Sequence, residues 1–569
     1  MVNYIVFISI IISLLVYAYA ARNARNEAKG TADDYYLAKG TTKPSEFAVT
    51  QTAYQLQMAT VYPFFLFAFT GNWWIGFVNN VGYFLGIGIY FLLLPFFSKG
   101  SANIVGKSST IHDAIARLHS LPYLRKLTGW MTIIAFAGLA AFEITWGSRV
   151  FRVLFDGGDS VYYLAISTLA AYLVLYVWAG GQRANIGAAQ YQLFFAYAGL
   201  HSLVAWLALQ DKVSFSGGEF AVIVPVIILL SAIMLFMRLR ICLQPQLRFL
   251  RYLNILTVVS LGGMLIGLTP KLGTLSLPTD LISTITKAPS FWLTSLSVGL
   301  LPLFFQFVDT SNWQRLTSLI VTPGNRMSEA RKGLKQYLIE SPLSWLLPIF
   351  SGLCAAQFLS VSPNADPWDA LLGFILHANS YWYPALAILV FVGIVAIFMS
   401  TADELLTTIA YVYAYDLSKV SRRLAIQSSN SNAESAASVV YASGRTAMTV
   451  ATAIVIGLFI VVDVFFTGNG QKLIGAFLAF YGPLISLAPS LVVPAITGRV
   501  AHQWFATLSL ALGAAAGLLC GFWSLLVPDA FGGDVTWFGS LASFGVSWAL
   551  YLVGLIGGRQ VHIEAQHVN

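Results

Sequence analysis

Along most of this chain, long runs of apolar residues alternate with short polar ones. The runs lie near residues 3–20, 46–69, 75–97, 129–154, 160–178, 187–208, 220–238 and 252–269. They continue near 290–308, 338–359, 383–411, 446–466, 471–495, 502–526 and 536–557. Most match the roughly 20 residues that an α-helix needs to cross a bilayer core. None shows the strict polar/apolar alternation of a membrane barrel strand, and backbone groups in lipid must bond within their own segment. The pattern therefore predicts an all-α polytopic membrane protein of about 15 transmembrane helices, with a single transmembrane domain over 1–569.

Composition sharpens that picture. Hydrophobic residues make up 57% of the 569 and charged residues only 10%, against about 25% charged in a soluble protein. The mean hydropathy of +0.73 calls for lipid as solvent. A net charge of +8 raises the question of a nucleic-acid partner, but its distribution answers it. If the N-terminus lies outside, 26 of the 32 Lys and Arg fall in inside loops. The other six are Arg149, Arg152, Lys212, Lys271, Lys287 and Lys472. That asymmetry is the positive-inside pattern, so the charge implies orientation and no nucleic acid. The expected topology has the N-terminus outside and the C-terminus cytoplasmic, in a plasma or bacterial-type inner membrane. The first run lacks a basic leader and is followed by Arg22, Arg25 and Lys29, which favours an uncleaved span. Cys242, Cys354 and Cys520 have no metal-type spacing and read as small buried hydrophobes. SKVSRRLAIQSSNSNAESAAS is expected to be an inside loop.

Two spans carry dense polar residues. In AVTQTAYQLQMATVYPFF, residues Gln51, Thr52, Gln55, Gln57 and Thr60 precede Pro63. Such side chains serve either as interhelical hydrogen-bonding groups or as signs of a broken helix whose bare carbonyls hold a small cation. AIFMSTADELLTTIA brings Ser400, Thr401, Thr407 and Thr408 beside Asp403 and Glu404. Here the hydroxyls either back-bond to their own helix or act as hard oxygen ligands. Glu143 is a costly residue inside a span and a functional candidate. Arg149, about 9 Å further along a helix, is its nearest basic residue in sequence. Asp463 and Glu340 lie near span ends and are expected to reach interfacial water.

Several segments together resemble one family. ADDYYLAKG is similar to the entry segment of the sodium/solute symporter family, which includes proline, galactose and sialic acid symporters. WAGGQRANIGAAQYQ resembles its glycine-rich loop and helix start. DTSNWQRLTS followed by SEARKGL resembles its inside-loop signature, with Asp309 and Arg315 in place. ADPWDALLGFI and MSTADELLTTIAYVYAYDL resemble its outer helix and sodium-site helix. The resemblance implies an inverted-repeat core of the leucine-transporter type, with repeats near 46–208 and 290–495 and flanking helices at 1–20 and 502–557. It implies a sodium site on the Ser400 and Thr401 hydroxyls with the carbonyls of Ala53, Leu56 and Ile397. The solute would sit between the second and ninth spans, near Gln55, Gln57, Phe305 and Gln306. Glu143, Asp309, Arg315 and Asp403 are further candidates.

Three departures stand out. The family's acid on the glycine-rich element is Ala189 here, Gln55 stands where a polar or acidic residue is common, and a hairpin near 220–269 is inserted. The implied function is sodium-coupled symport of a small organic solute by alternating access, with sodium as co-transported ion and no organic cofactor. The solute expected is an amino acid such as proline, or a monocarboxylate or sugar. The competing reading is a symporter-like solute sensor that works with a separate membrane or signalling partner through the hairpin. The seven histidines are scattered, which argues against an enzyme.

Overall fold

The computed structural model describes residues 2–26, 32–38, 42–98, 108, 110–155, 159–242, 248–276, 286, 291–319, 326–362, 365–377, 382–418, 433–466, 470–526 and 538–560. The chain begins with α1 (Val2–Asn26), α2 (Ala32–Leu37), the pair α3 (Pro44–Gln55) and α4 (Met58–Phe69), and α5 (Trp73–Ser98). Then come α6 (Ile111–His119), α7 (Pro122–Gly147), α8 (Arg149–Phe155) and α9 (Asp159–Ala208). A hairpin of α10 (Gly218–Cys242) and α11 (Arg248–Leu268) precedes α12 (Phe291–Val308) and α13 (Thr310–Ser318). The rest is α14 (Arg326–Phe358), α15 (Pro367–His377), α16 (Tyr383–Val412), α17 (Ala433–Phe466), α18 (Gly470–Ala479), α19 (Gly482–Ile485), α20 (Ala488–Thr497), α21 (Gln503–Leu526) and α22 (Phe538–Gly554). Two-residue strands β1 (Arg499–Val500) and β2 (Arg559–Gln560) pair antiparallel and tie down the chain after α22.

Twelve stretches among the described residues are long and apolar enough to cross a membrane. One of them, Tyr162–Ala208, contains two spans joined at Gly181. The interrupted α3–α4 pair and the shorter α22 add two more, which brings the number to the fifteen expected. The protein is an all-α polytopic membrane protein. The polar loop expected at 418–438 falls largely outside the described residues.

Gly181 shows how one residue shapes the bundle. Its φ of 58° and ψ of −145° break α9 mid-way and leave nearby carbonyls without helical partners. The Tyr35 hydroxyl supplies one, donating to Val177 O and Trp178 O at 3.2 and 3.1 Å. Beyond the kink, α9 packs along α16, where Gly199 meets Gly393 backbone to backbone. Small residues at such a crossing permit the close van der Waals packing that holds helices together in lipid.

The inserted hairpin is built into the bundle. α11 lies on α9 and α10 on α14. Arg238 of α10 donates to Glu340 Oε2 on α14 at 2.7 Å and to Asn254 Oδ1 on α11 at 2.6 Å. Glu340 is fully buried, so it does not reach interfacial water as its position in sequence suggests. Asp463 is likewise taken by Arg152 at 3.0 Å and by the Tyr163 hydroxyl at 2.8 Å. In an apolar surround, a carboxylate near a span end gains more from a guanidinium than from a distant water layer.

Candidate cation and solute site

The second span breaks at Leu56 (φ −80°, ψ 80°) and Gln57 (φ −109°, ψ 148°). A helix end leaves carbonyls on one side and amides on the other without intrahelical partners, and inside a membrane each must find a substitute. On the α3 side, three successive carbonyls do so with side chains of other helices. Ala53 O accepts from Ser400 Oγ at 2.8 Å, Tyr54 O from Thr401 Oγ1 at 3.0 Å, and Gln55 O from Trp345 Nε1 at 2.9 Å. On the α4 side, Met58 N and Ala59 N donate to Glu143 Oε2 and Oε1 at 2.9 and 2.8 Å. Glu143 thus closes a half-helix end. Its two carboxyl oxygens face the positive end of the α4 dipole.

The two hydroxyls also reach back to Ile397 O, at 2.8 Å from Ser400 and 3.4 Å from Thr401. The structure therefore brings together Ala53, Ile397, Ser400 and Thr401, and adds the Tyr54 carbonyl. Leu56 is buried at the break, with its amide on Thr52 O. Among the described residues no hydrogen bond links it to this cluster. Five oxygens, none of them a carboxylate, make a hard donor set suited to a monovalent cation. The present spacings are hydrogen-bond lengths. They separate the oxygens from one another, so holding an ion among them requires the hydroxyl hydrogens to turn away and the oxygens to spread around it.

The ninth span breaks as well. Asp309 ends α12 and caps α13 by accepting from Ser311 N at 3.0 Å. It also accepts from Gln55 Nε2 at 3.1 Å and from the Tyr54 hydroxyl at 3.4 Å, so the two breaks touch directly. DTSNWQRLTS, expected as an inside-loop signature, is instead a helix within the bundle. Arg315 is only 2% exposed and does not belong in the count of inside-loop charges. Its guanidinium pairs with Glu404 Oε2 at 2.9 Å, donates to Gln51 Oε1 at 2.8 Å and lies over the Tyr54 ring. Glu404 also accepts from Ser311 Oγ at 2.6 Å. Asp403 turns to the other side, where the Tyr176 hydroxyl and Gln192 Nε2 donate to it. Neither acid shares the hydroxyl cluster.

Arg149 does not pair with Glu143. It binds Asp366 and, at 3.2 Å, Asp369, while the Tyr62 hydroxyl donates to Asp366 at 2.5 Å. This knot joins α4, α8 and the segment leading into α15 at one end of the bundle.

A narrow cavity of about 40 Å³ lies beside the first break. It is smaller than the roughly 300–1,000 Å³ of typical ligand pockets. Gln55, Gln57 and Phe305 line it, together with Asn79, Tyr83, Trp345 and Tyr481. Gln306 does not. Its Oε1 accepts from Asn312 Nδ2 at 3.3 Å and from the Tyr337 hydroxyl at 3.4 Å. Trp345 and Tyr54 are the site residues that sequence reasoning missed, and Glu404, noted there beside the hydroxyls, was given no role. Each had a visible signal only in hindsight of its partner: an indole, a phenol and a second acid among many apolar neighbours.

No family model matches the chain, and no curated protein matches it. Among solved structures, the substrate-bound outward-open state of a sodium-coupled sialic acid symporter aligns with it at a TM-score of 0.64. The match covers 99% of both chains at 14% identity. The chain therefore shares the fold of that transporter.

Proposed function

We propose that this protein moves a small organic solute across the membrane coupled to sodium, by alternating access. The observation that carries the reading is the pair of hydroxyls on α16 set against the bare carbonyls of α3. An oxygen cluster of this kind, at a break between two packed helices, can hold a cation only while those helices stay together. The shared fold with a sodium-coupled symporter supports the reading. The cavity at the same break is the solute's place in this proposal. The repeats near 46–208 and 290–495 are the moving parts, each opened by an interrupted span. On the topology expected from the charge asymmetry, the N-terminus is outside and the Arg149 knot lies on the outer face.

Of the solutes expected from the sequence, the cavity favours the uncharged ones. The inserted hairpin is anchored through Arg238, and a separate partner would meet its lipid-facing side. Purified protein in liposomes should accumulate a labelled solute from a broad panel under an inward sodium gradient. Ser400→Ala with Thr401→Ala should abolish that accumulation and raise the sodium needed for any residual binding by about tenfold or more, the loss of roughly 1.4 kcal/mol. Saturable solute binding without gradient-driven uptake in the unaltered protein would instead establish the sensor reading.

A further inference from the structure

The first break also bears on the charge of the solute. A half-helix that begins at mid-membrane offers free amides and the positive end of a dipole. Transporters use such ends to hold anionic solute groups. In this protein that end is already filled. Met58 N and Ala59 N are held by the two oxygens of Glu143, and Thr60 N and Val61 N both bond Gln57 O at 2.9 Å. All four amides of the first turn of α4 have partners.

An independent observation comes from the cavity wall. Among the described residues that line it there is no lysine, arginine or histidine, and the polar side chains, among them Gln55, Gln57, Thr60 and Asn79, are uncharged. The nearby guanidiniums are committed elsewhere, Arg315 to Glu404 and Gln51, Arg149 to Asp366 and Asp369. Neither lines the cavity. Ile397, Ser400 and Thr401 do not line it either, so a cation held by those groups gives a solute carboxylate no direct partner. An anionic group entering here would meet the Glu143 side of the break with no opposing charge. A cationic solute fares no better, because no carboxylate lines the wall among the described residues and that of Glu143 is spent on the amides.

We propose that Glu143 determines specificity by occupying the half-helix end, and so reserves the cavity for an uncharged solute that carries hydroxyl or amide groups. Carboxylates are excluded, zwitterionic amino acids included. This inference rests on the transport reading for its site.

The test is thermal stabilisation of the full-length protein in detergent, with and without sodium, by acetate, proline, choline and a set of uncharged polyols and sugars. Uncharged compounds should raise Tm saturably, and the other three should not. In Glu143→Ala, acetate should stabilise with an affinity at least about tenfold better than in the unaltered protein, because it takes up the vacated amides. If that variant does not fold, the unaltered protein's ranking decides alone, and Glu143→Gln, which keeps the shape, gives a second ranking. Saturable stabilisation of the unaltered protein by acetate, proline or choline overturns the inference. Loss of all sodium dependence with the ranking intact counts against symport and leaves the specificity of the cavity standing.

Discussion

A buried serine or threonine in a helix ordinarily returns its hydroxyl to a carbonyl three or four residues earlier. Ser400 and Thr401 do this with Ile397, yet each also reaches a carbonyl of another helix. That double reach follows from adjacent hydroxyls lying opposite an interrupted backbone, and the adjacency itself was visible in the sequence. Arg315 illustrates the reverse. Its segment is short and polar, so it reads as a loop, and only the packing of α13 against α16 shows a buried ion pair. Removing one partner of such a pair leaves the other charge uncompensated, at a cost of about 3–5 kcal/mol. We therefore expect Arg315→Met to lower thermal stability sharply. Arg315→Met combined with Glu404→Gln should recover part of that loss, because the remaining group is neutral and still accepts from Ser311. A double-mutant cycle on Tm in detergent measures the difference. Equal and additive losses would show that the pair is not coupled.

At the scale of elements, the positions of the spans were legible because runs of about 20 apolar residues have few alternatives in water or lipid. The breaks were legible only as polar density. Nothing in Gln55-Leu56-Gln57 is a glycine or proline. The interruption sits there because Trp345, Glu143 and the α16 hydroxyls satisfy the groups that it frees, and those partners come from distant segments. Gly181 is a different case, since its backbone conformation is nearly exclusive to glycine. A Cβ there would also collide with the Tyr35 carbonyl. Gly181→Ala should cost at least roughly 1–3 kcal/mol, read as a lower Tm and poorer yield of folded protein. Gly262, with open space around it, is the control position for the same substitution.

Across the whole molecule, the end opposite the Arg149 knot is tied together by a short helix outside the spans. His112 of α6 meets Asp416 at 2.7 Å and Thr132 at 2.8 Å. His119, at the other end of α6, is linked to the Tyr551 hydroxyl on α22 at 2.8 Å, and Arg559 donates to its carbonyl. Burial pushes the His119 imidazole down to about 4 from 6.5, with the Arg559 charge adding to the effect and a bond to Ile115 O opposing it. The unfolded chain therefore binds more protons between those two values. The stability gained from a neutral His119 is complete above about pH 6.5 and is lost as pH falls towards 4, on the order of 3 kcal/mol in total. His119→Gln should flatten the acid side of a Tm–pH profile between pH 7.5 and 5. An unchanged slope would place the acid sensitivity elsewhere.

The three carbonyls of Ala53, Tyr54 and Gln55 have a consequence for motion. Two of them are held by α16 and the third by α14, so α3 cannot slide against either helix without stranding a polar group in an apolar interior. Stranding costs roughly 1–3 kcal/mol per group, which any conformational change must offset. An ion seated on Ala53 O and Tyr54 O would take over both bonds from the hydroxyls, and its release would return them. On this reasoning, ion occupancy and the register of α3 against α16 share one set of oxygens. Coupling would then need no relay between distant sites, because the backbone that moves is the backbone that binds.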